Sequence, residues 1–145
     1  MENQTKHPLN VVIVDDDYNT VEAFTEFLEL KNIKVVGKGF DGNDAVKLYR
    51  NLKPDIVFLD VMMPEYDGFY ALEKIREINP NAVVIMVTAD LTQETEDRLK
   101  ELKANSIVYK PFDIQQILEV ISKLALKCEA AKNLSELRSV SKGDY

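Results

Sequence analysis

Histidine is nearly missing from this chain: His7 is the only one in 145 residues. Zinc centres, Ser-His-Asp triads and paired-histidine metal sites need more imidazole than that. An internal phosphohistidine or a histidine-based acid–base centre is therefore not expected. His7 itself falls in a polar leader, residues 1–8, expected to be solvated and flexible. Cysteine is as scarce. The single Cys128 cannot close an internal disulfide, which fits a reducing compartment. No apolar run is long enough to span a bilayer, and the opening MENQTKHPLN lacks the apolar core of a signal peptide. Cytoplasmic placement is the expectation. Basic side chains are outnumbered, 18 Lys and Arg against 25 Asp and Glu, for a net charge of −7. A field of that sign repels nucleic acid and anionic lipid, so neither DNA nor membrane is expected as a partner. Repeats and low-complexity tracts are absent as well.

What the chain does have is alternation. Short apolar runs occur at 9–14 (LNVVIV), 33–37 (IKVVG), 56–59 (IVFL), 83–87 (VVIMV) and 106–109 (SIVY). Helical spacing lies between them, in Val21, Phe24 and Leu28, then Val46, Tyr49 and Leu52, then Phe69, Leu72 and Ile75. It recurs in Ile114, Ile117, Leu118 and Ile121 after the last run. A fourth helix over 92–103 carries little that is apolar beyond Leu99 and Leu102, so most of its surface faces water or a partner. Asn32 closes the first helix, Pro54 and Pro80 follow the second and third, and Asp113 with Gln116 reads as a capping box. Alternating strands and helices predict an α/β domain with a parallel sheet and right-handed crossovers. The first, third and fourth runs are apolar throughout, as strands covered on both faces must be. Lys34 and Lys38 bracket the second, and the fifth is short and mixed, which suits edges. The expectation is a flavodoxin-like, doubly wound, five-stranded sheet of order 2-1-3-4-5 with five helices, occupying 9–127. Residues 128–145, with Leu134, Leu137 and Val140 at helical spacing, would form a helical extension or a tail.

In such a sheet ligands bind beyond the carboxyl ends of the strands. Read there, the sequence gives Asp15, Asp16 and Asp17 after strand 1 and Asp60 after strand 3. Strand 4 ends in Thr88 and Ala89, and strand 5 in Lys110 and Pro111. Carboxylates about 4 Å apart repel by about 4 kcal/mol per pair at a surface-like dielectric. A cation, a proton or both must compensate. A hard oxygen site open to solvent suits Mg²⁺, with Mn²⁺ as the alternative. Asp15, Asp16 and Asp60 against Lys110 leave a double negative charge that one divalent ion cancels. An ionised aspartate is also a nucleophile toward phosphorus, and phosphoryl transfer needs mainly positioning and neutralisation of oxygen charge. Asp60, alone on its central strand, is favoured as that nucleophile over the Asp15–Asp16 pair, though the residues by themselves do not force the choice. Asp17 reads as first-turn chemistry for helix 1. Met62 and Met63 read as packing beneath the loop, and Phe112 as core or hinge packing.

The segments VVIVDDD, IVFLDVMMPEYDG, VIMVTAD and VYKPF, in that order on those elements, resemble the receiver domain of two-component response regulators. The likeness runs from about residue 10 to 127 and is closest in kind to single-domain chemotaxis-type receivers. It implies that Asp60 takes a phosphoryl group from a phosphohistidine on a sensor kinase or phosphotransfer protein. It implies that Asp16, Asp60 and the Met62 carbonyl ligate Mg²⁺, Asp15 acting mostly through water, while Thr88 and Lys110 bind phosphoryl oxygens. The Lys110–Pro111 bond would be cis. Pro64, Asp67 and Gly68 match the turn into the third helix. Output would pass through helix 4, strand 5 and helix 5 to an unnamed partner protein, from a monomer or weak homodimer, without DNA binding. Two positions depart from the pattern. Ile107 stands where an aromatic switch residue is usual, so either Tyr109, on the same strand face, partly replaces it or switching relies on Thr88 and the loop alone. Lys103 replaces the usual Gly before Ala104. Met62 and Asp90 would flank the approach of water to the phosphoryl group. The chain would label once and dephosphorylate slowly rather than turn over. A phosphatase resembling the haloacid dehalogenases fits only the Asp15–Asp17 spacing, and 145 residues leave no room for a cap. A receiver-shaped module that is never phosphorylated would not need every acidic, hydroxyl and lysine position. A flavin carrier would need a Ser/Thr-rich phosphate loop after strand 1.

Overall fold

In the computed structural model, residues 8–125 are described. His7, Cys128, Leu134, Leu137 and Val140 lie outside them, as does the expected 128–145 extension. The chain forms two compact units, one ending at Pro111 and one beginning at Phe112. In the first, strands and helices alternate: β1 (Asn10–Val14), α1 (Tyr18–Leu30), β2 (Lys34–Gly39), α2 (Gly42–Leu52), β3 (Ile56–Asp60), α3 (Gly68–Ile78), β4 (Val84–Thr88), α4 (Gln93–Glu101) and β5 (Ser106–Tyr109). In the second, residues 114–125 are helical. The reciprocal bonds between Asp113 and Gln116, at 2.8 and 2.9 Å, open that helix as a capping box.

All strand pairs are parallel and the order is β2-β1-β3-β4-β5, the flavodoxin-like order. Burial follows that order. Every residue of β3 and β4 is buried, whereas edge strands β2 and β5 are largely half-covered. One sheet face, through Val12, Val14, Val57, Leu59, Val84 and Met86, packs on Ala45 and Tyr49 of α2, Leu72 and Ile75 of α3, and Leu99 of α4. The opposite face carries Phe58, whose ring meets Phe24 of α1 at 5.0 Å. Among the described residues no helix is long and apolar enough to cross a membrane.

Local chemistry sets the boundaries. Asp17, Asp41, Asp67 and Thr92 cap the starts of α1 to α4, each side chain accepting from an N–H of the first turn. Asn32 and Lys53 take left-handed conformations, φ 64° and 45°, just past α1 and α2. Three expectations shift in the structure. β2 starts at Lys34 and runs two residues beyond Gly37, with a bulge opposite Val11 and Val12. β4 is displaced by one residue, so that Thr88 is its last member. Leu52 keeps its helical phase yet is 44 % exposed. It lies over Gly37 of the edge strand, where the sheet gives out and cannot cover it.

Candidate functional site: an acidic pocket at the strand ends

Strand order places β1, β3, β4 and β5 side by side, so the residues just past their carboxyl ends share one shallow pocket. Asp15 is buried directly after β1, its backbone N–H bonded to the Gly39 carbonyl at 3.1 Å. Its Oδ1 accepts from the Asp17 N–H at 2.9 Å, which fixes the carboxylate and turns the chain into α1. Asp16, next to it, is exposed. Asp60 ends β3 and is 5 % exposed. Asp15, Asp16 and Asp60 each present a carboxylate oxygen, and the three oxygens lie within 4.8 Å of one another.

Lys110 enters from the end of β5. Its Nζ donates to Asp15 Oδ2 at 2.7 Å and stands 3.6 Å from Asp60 Oδ2. The Lys110 N–H is bonded to the Thr88 carbonyl at 2.8 Å, which extends β-type pairing one residue past β5 and aims the side chain inward. The Lys110–Pro111 peptide is cis. Thr88 is fully buried, and its Oγ1 accepts from the Asp90 N–H at 3.0 Å.

These surroundings raise two proton affinities, each against an opposing influence. Burial first, then the Asp15 carboxylate, push Asp60 up to about 6, with Asp16 adding to the rise. Lys110 and the Met62 N–H pull the other way without cancelling it. For Lys110, burial disfavours the ammonium, but its bonds and charge contacts with Asp15 and Asp60 outweigh that and hold it above its ordinary value. An unmet excess of negative charge thus sits on three converging oxygens, which is the donor set a hard divalent cation takes up.

The loop from β3 to α3 forms the pocket wall and is held by backbone. The Gly68 N–H bonds the Val61 carbonyl at 2.9 Å, and the Gly42 N–H bonds the Tyr66 carbonyl at 2.6 Å. A Cβ on Gly68 would lie 2.7 Å from Val61 Cα and closer still to the Asp60 carbonyl. Within this loop Met63 is buried, whereas Met62 is 62 % exposed at the pocket rim. On β5, Ile107 packs into the core beside Met86, its register partner. Tyr109 is half-buried and is the register partner of Thr88. The pocket therefore gathers Asp15, Asp16, Asp60 and Lys110, with Thr88 at the adjoining end of β4. It leaves Asp17 to cap α1 and Ile107 to the core. Sequence patterns alone did not reach the Gly68 close approach or the bonds of the Asp90 carboxylate to the Thr92 N–H (2.9 Å) and the Thr95 hydroxyl (2.6 Å). The Asp67–Gly68 pair after an acidic strand end was the available signal for the first.

A doubly wound sheet with an acidic, lysine-bearing pocket at its switch point defines a class of phosphate-handling α/β domains. Residues 11–122 match the response regulator receiver domain, and the chain belongs to that family. It is 37% identical over 118 residues to the chemotaxis protein CheY of Listeria monocytogenes, covering 81% of this chain and 98% of that one. The CheY chain in the CheX-CheY-BeF3-Mg complex of Borrelia burgdorferi superposes with a TM-score of 0.80 at 32% identity, covering 84% of this chain and 92% of its own. A LuxR-family DNA-binding response regulator of Staphylococcus aureus superposes at 0.75 with 26% identity, over 79% of this chain and 97% of its own. Receivers of this shape therefore serve DNA-binding regulators as well as chemotaxis proteins, and the receiver fold alone does not separate the two.

Proposed function

We propose that this protein is a phosphorylation-activated signalling switch in which Asp60 accepts a phosphoryl group from a phosphohistidine of a sensor kinase or phosphotransfer protein. The observation that carries the reading is the Asp60 carboxylate itself: buried, crowded by Asp15 and Asp16, and within 3.6 Å of the Lys110 ammonium. An Asp60 oxygen attacks phosphorus, the phosphorus–nitrogen bond to the donor imidazole breaks, and the imidazole leaves with the electron pair. The product is an acyl phosphate on Asp60.

Asp15, Asp16 and Asp60, with the Met62 carbonyl, would hold Mg²⁺, and the three converging carboxylates fit that role. When bound, the ion neutralises carboxylate and phosphoryl oxygen charge. The chain's own groups do the rest. Lys110 supplies a cation that can turn from Asp15 toward a phosphoryl oxygen near Asp60. Thr88, whose hydroxyl hydrogen is not needed for the Asp90 bond, can donate to another. Movement of Thr88 would then alter the surface of α4 and β5, with Tyr109 taking part of the role that an aromatic at position 107 usually fills. Output passes to a partner protein in the cytoplasm, and the single label decays slowly rather than being released in catalytic turnover. The Mg²⁺ and BeF3 named with the Borrelia burgdorferi relative support this reading, and its complex with CheX supports output through a partner protein.

Incubation with acetyl phosphate and Mg²⁺, read by intact mass, tests it. One phosphoryl adduct is expected in the wild type, and none in Asp60→Asn or with EDTA. An adduct that persists in Asp60→Asn would refute the assignment.

A further inference from the structure

Asp90 lies two residues beyond Thr88, and its two ends are bonded in opposite directions. Its N–H donates to Thr88 Oγ1 at 3.0 Å. Its carboxylate accepts from the Thr92 N–H at 2.9 Å and from the Thr95 hydroxyl at 2.6 Å. Thr92 is itself the N-cap of α4, with Oγ1 accepting from the Thr95 N–H at 3.3 Å. Thr88 is fully buried and Thr95 is 8 % exposed, so both ends of this chain of bonds are sheltered from competing water. An unbroken path of hydrogen bonds thus joins the strand-end hydroxyl to the first turn of α4.

Farther along the same helix, the Arg98 guanidinium stacks over the Phe69 ring at 4.1 Å. Phe69 follows Gly68, the residue seated against the Asp60 backbone. The helix is held at its start by Asp90 and at its middle by α3.

We infer that Asp90 is a positioning residue that couples the Thr88 hydroxyl to the first turn of α4, so that a shift of Thr88 toward an oxyanion at Asp60 displaces the helix. The inference rests on Asp60 being the phosphoryl acceptor and adds the route by which that event leaves the pocket. A hydroxyl oxygen can donate its one hydrogen to an oxyanion while still accepting from an N–H. Thr88 can therefore change partner on its donor side without releasing Asp90, and the loop follows. The other end does not slip readily, because a carboxylate gripped by two donors makes charge-assisted bonds. A purely local turn would need only the Thr92 bond. The Thr95 bond reaches into the helix and turns the loop into a lever.

Amide NMR of the full chain, with and without Mg²⁺ and beryllofluoride, separates the possibilities. In the wild type, amides beside Asp60 and those of residues 93–101 are expected to shift. Thr95→Val keeps the shape of the side chain and deletes the donor. It should keep the shifts beside Asp60 while those across 93–101 fall by more than half. Thr95→Ser should restore them, which a merely space-filling role would not require. Asp90→Ala should behave as Thr95→Val does. Full shifts across 93–101 in both Thr95→Val and Asp90→Ala, with the pocket responding normally, would overturn the coupling. Loss of the pocket response in Thr95→Val would also overturn it, by placing Thr95 in the pocket chemistry. A wild type with no response beside Asp60 would instead refute the reading of Asp60, and the coupling with it.

Discussion

Thr88 and Tyr109 are register partners at the adjoining ends of β4 and β5. In a parallel pair such partners project to the same face about 5 Å apart, near enough for a movement of one to be felt by the other. Ile107, two residues earlier, is packed into the core and has no ring to swing. Tyr109 is thus the aromatic placed to report on Thr88. Its ring resonances are expected to shift on addition of Mg²⁺ with beryllofluoride, and Tyr109→Ala should weaken partner binding in the phosphorylated state at least threefold. Unchanged Tyr109 resonances in a protein whose pocket has responded would remove Tyr109 from the switch.

Asp60 should destabilise the metal-free fold at neutral pH. Its affinity for a proton is raised from 3.8 to about 6 by burial and by Asp15. The folded state therefore binds more protons than the unfolded state between those values, and stability is lost as pH rises through that window. At one pH unit per 1.36 kcal/mol the ionised group costs on the order of 3 kcal/mol. Asp60→Asn, which cannot ionise, should be more stable than wild type in EDTA at pH 7.5 by about 1–3 kcal/mol, with the gap closing toward pH 4. Urea titrations at the two pH values measure it. Equal stabilities at pH 7.5 would show that the pocket has relieved its charge by other means.

Hydrophobic patterning carried much of this structure because burial on both faces of β1, β3 and β4 leaves a plain mark in the sequence. Once strand ends are located, parallel order makes their last residues neighbours, so Asp15, Asp60, Thr88 and Lys110 converge without any long-range information. Contacts between helices leave no such mark. Arg76 on α3 donates to the Ala82 carbonyl at 2.5 Å, the Lys103 carbonyl at 2.6 Å and Asn105 Oδ1 at 2.7 Å, tying α3 to the turn before β5. Its spacing on the helix reads as an ordinary surface position. Lys103 shows the same limit. It occupies a left-handed position at φ 66° where glycine would sit without strain, and only the fold reveals that the Arg76 bond to its carbonyl holds the turn.

Gly68 and Gly37 should respond very differently to alanine. At Gly68 the new methyl would meet the Asp60 carbonyl and Val61 Cα, both backbone of the pocket wall. Neither can turn aside, so the loop must move. At Gly37 the nearest atoms are Leu48 Cδ2 at 2.9 Å and Leu52 Cδ1 at 3.1 Å, ends of flexible side chains, one of them on half-exposed Leu52. Gly68→Ala is expected to cost about 1–3 kcal/mol, as overpacking does, and to slow labelling by acetyl phosphate at least tenfold. Gly37→Ala should fall within about 1 kcal/mol of wild type and label normally. Normal labelling in Gly68→Ala would mean that the wall can retreat without disturbing Asp60.

Lys110 is bonded to Asp15 rather than to Asp60, at 2.7 against 3.6 Å, and this makes its loss act in two directions at once. In the resting pocket the ammonium partly cancels the charge that a divalent cation would otherwise meet. Removing a unit charge some 4 Å away raises the attraction for that cation by roughly 1–2 kcal/mol after screening. Lys110→Met should therefore bind Mg²⁺ about tenfold more tightly than wild type, as measured by calorimetry at pH 7.5. Phosphoryl transfer is the opposite case, because the charge that develops on the phosphoryl oxygens then lacks its ammonium partner, and one preorganised cation or donor is worth about a hundredfold in rate. Labelling of Lys110→Met by acetyl phosphate should fall by at least tenfold even at saturating Mg²⁺. If metal affinity and labelling fell together, Lys110 would be holding the pocket's shape rather than balancing its charge.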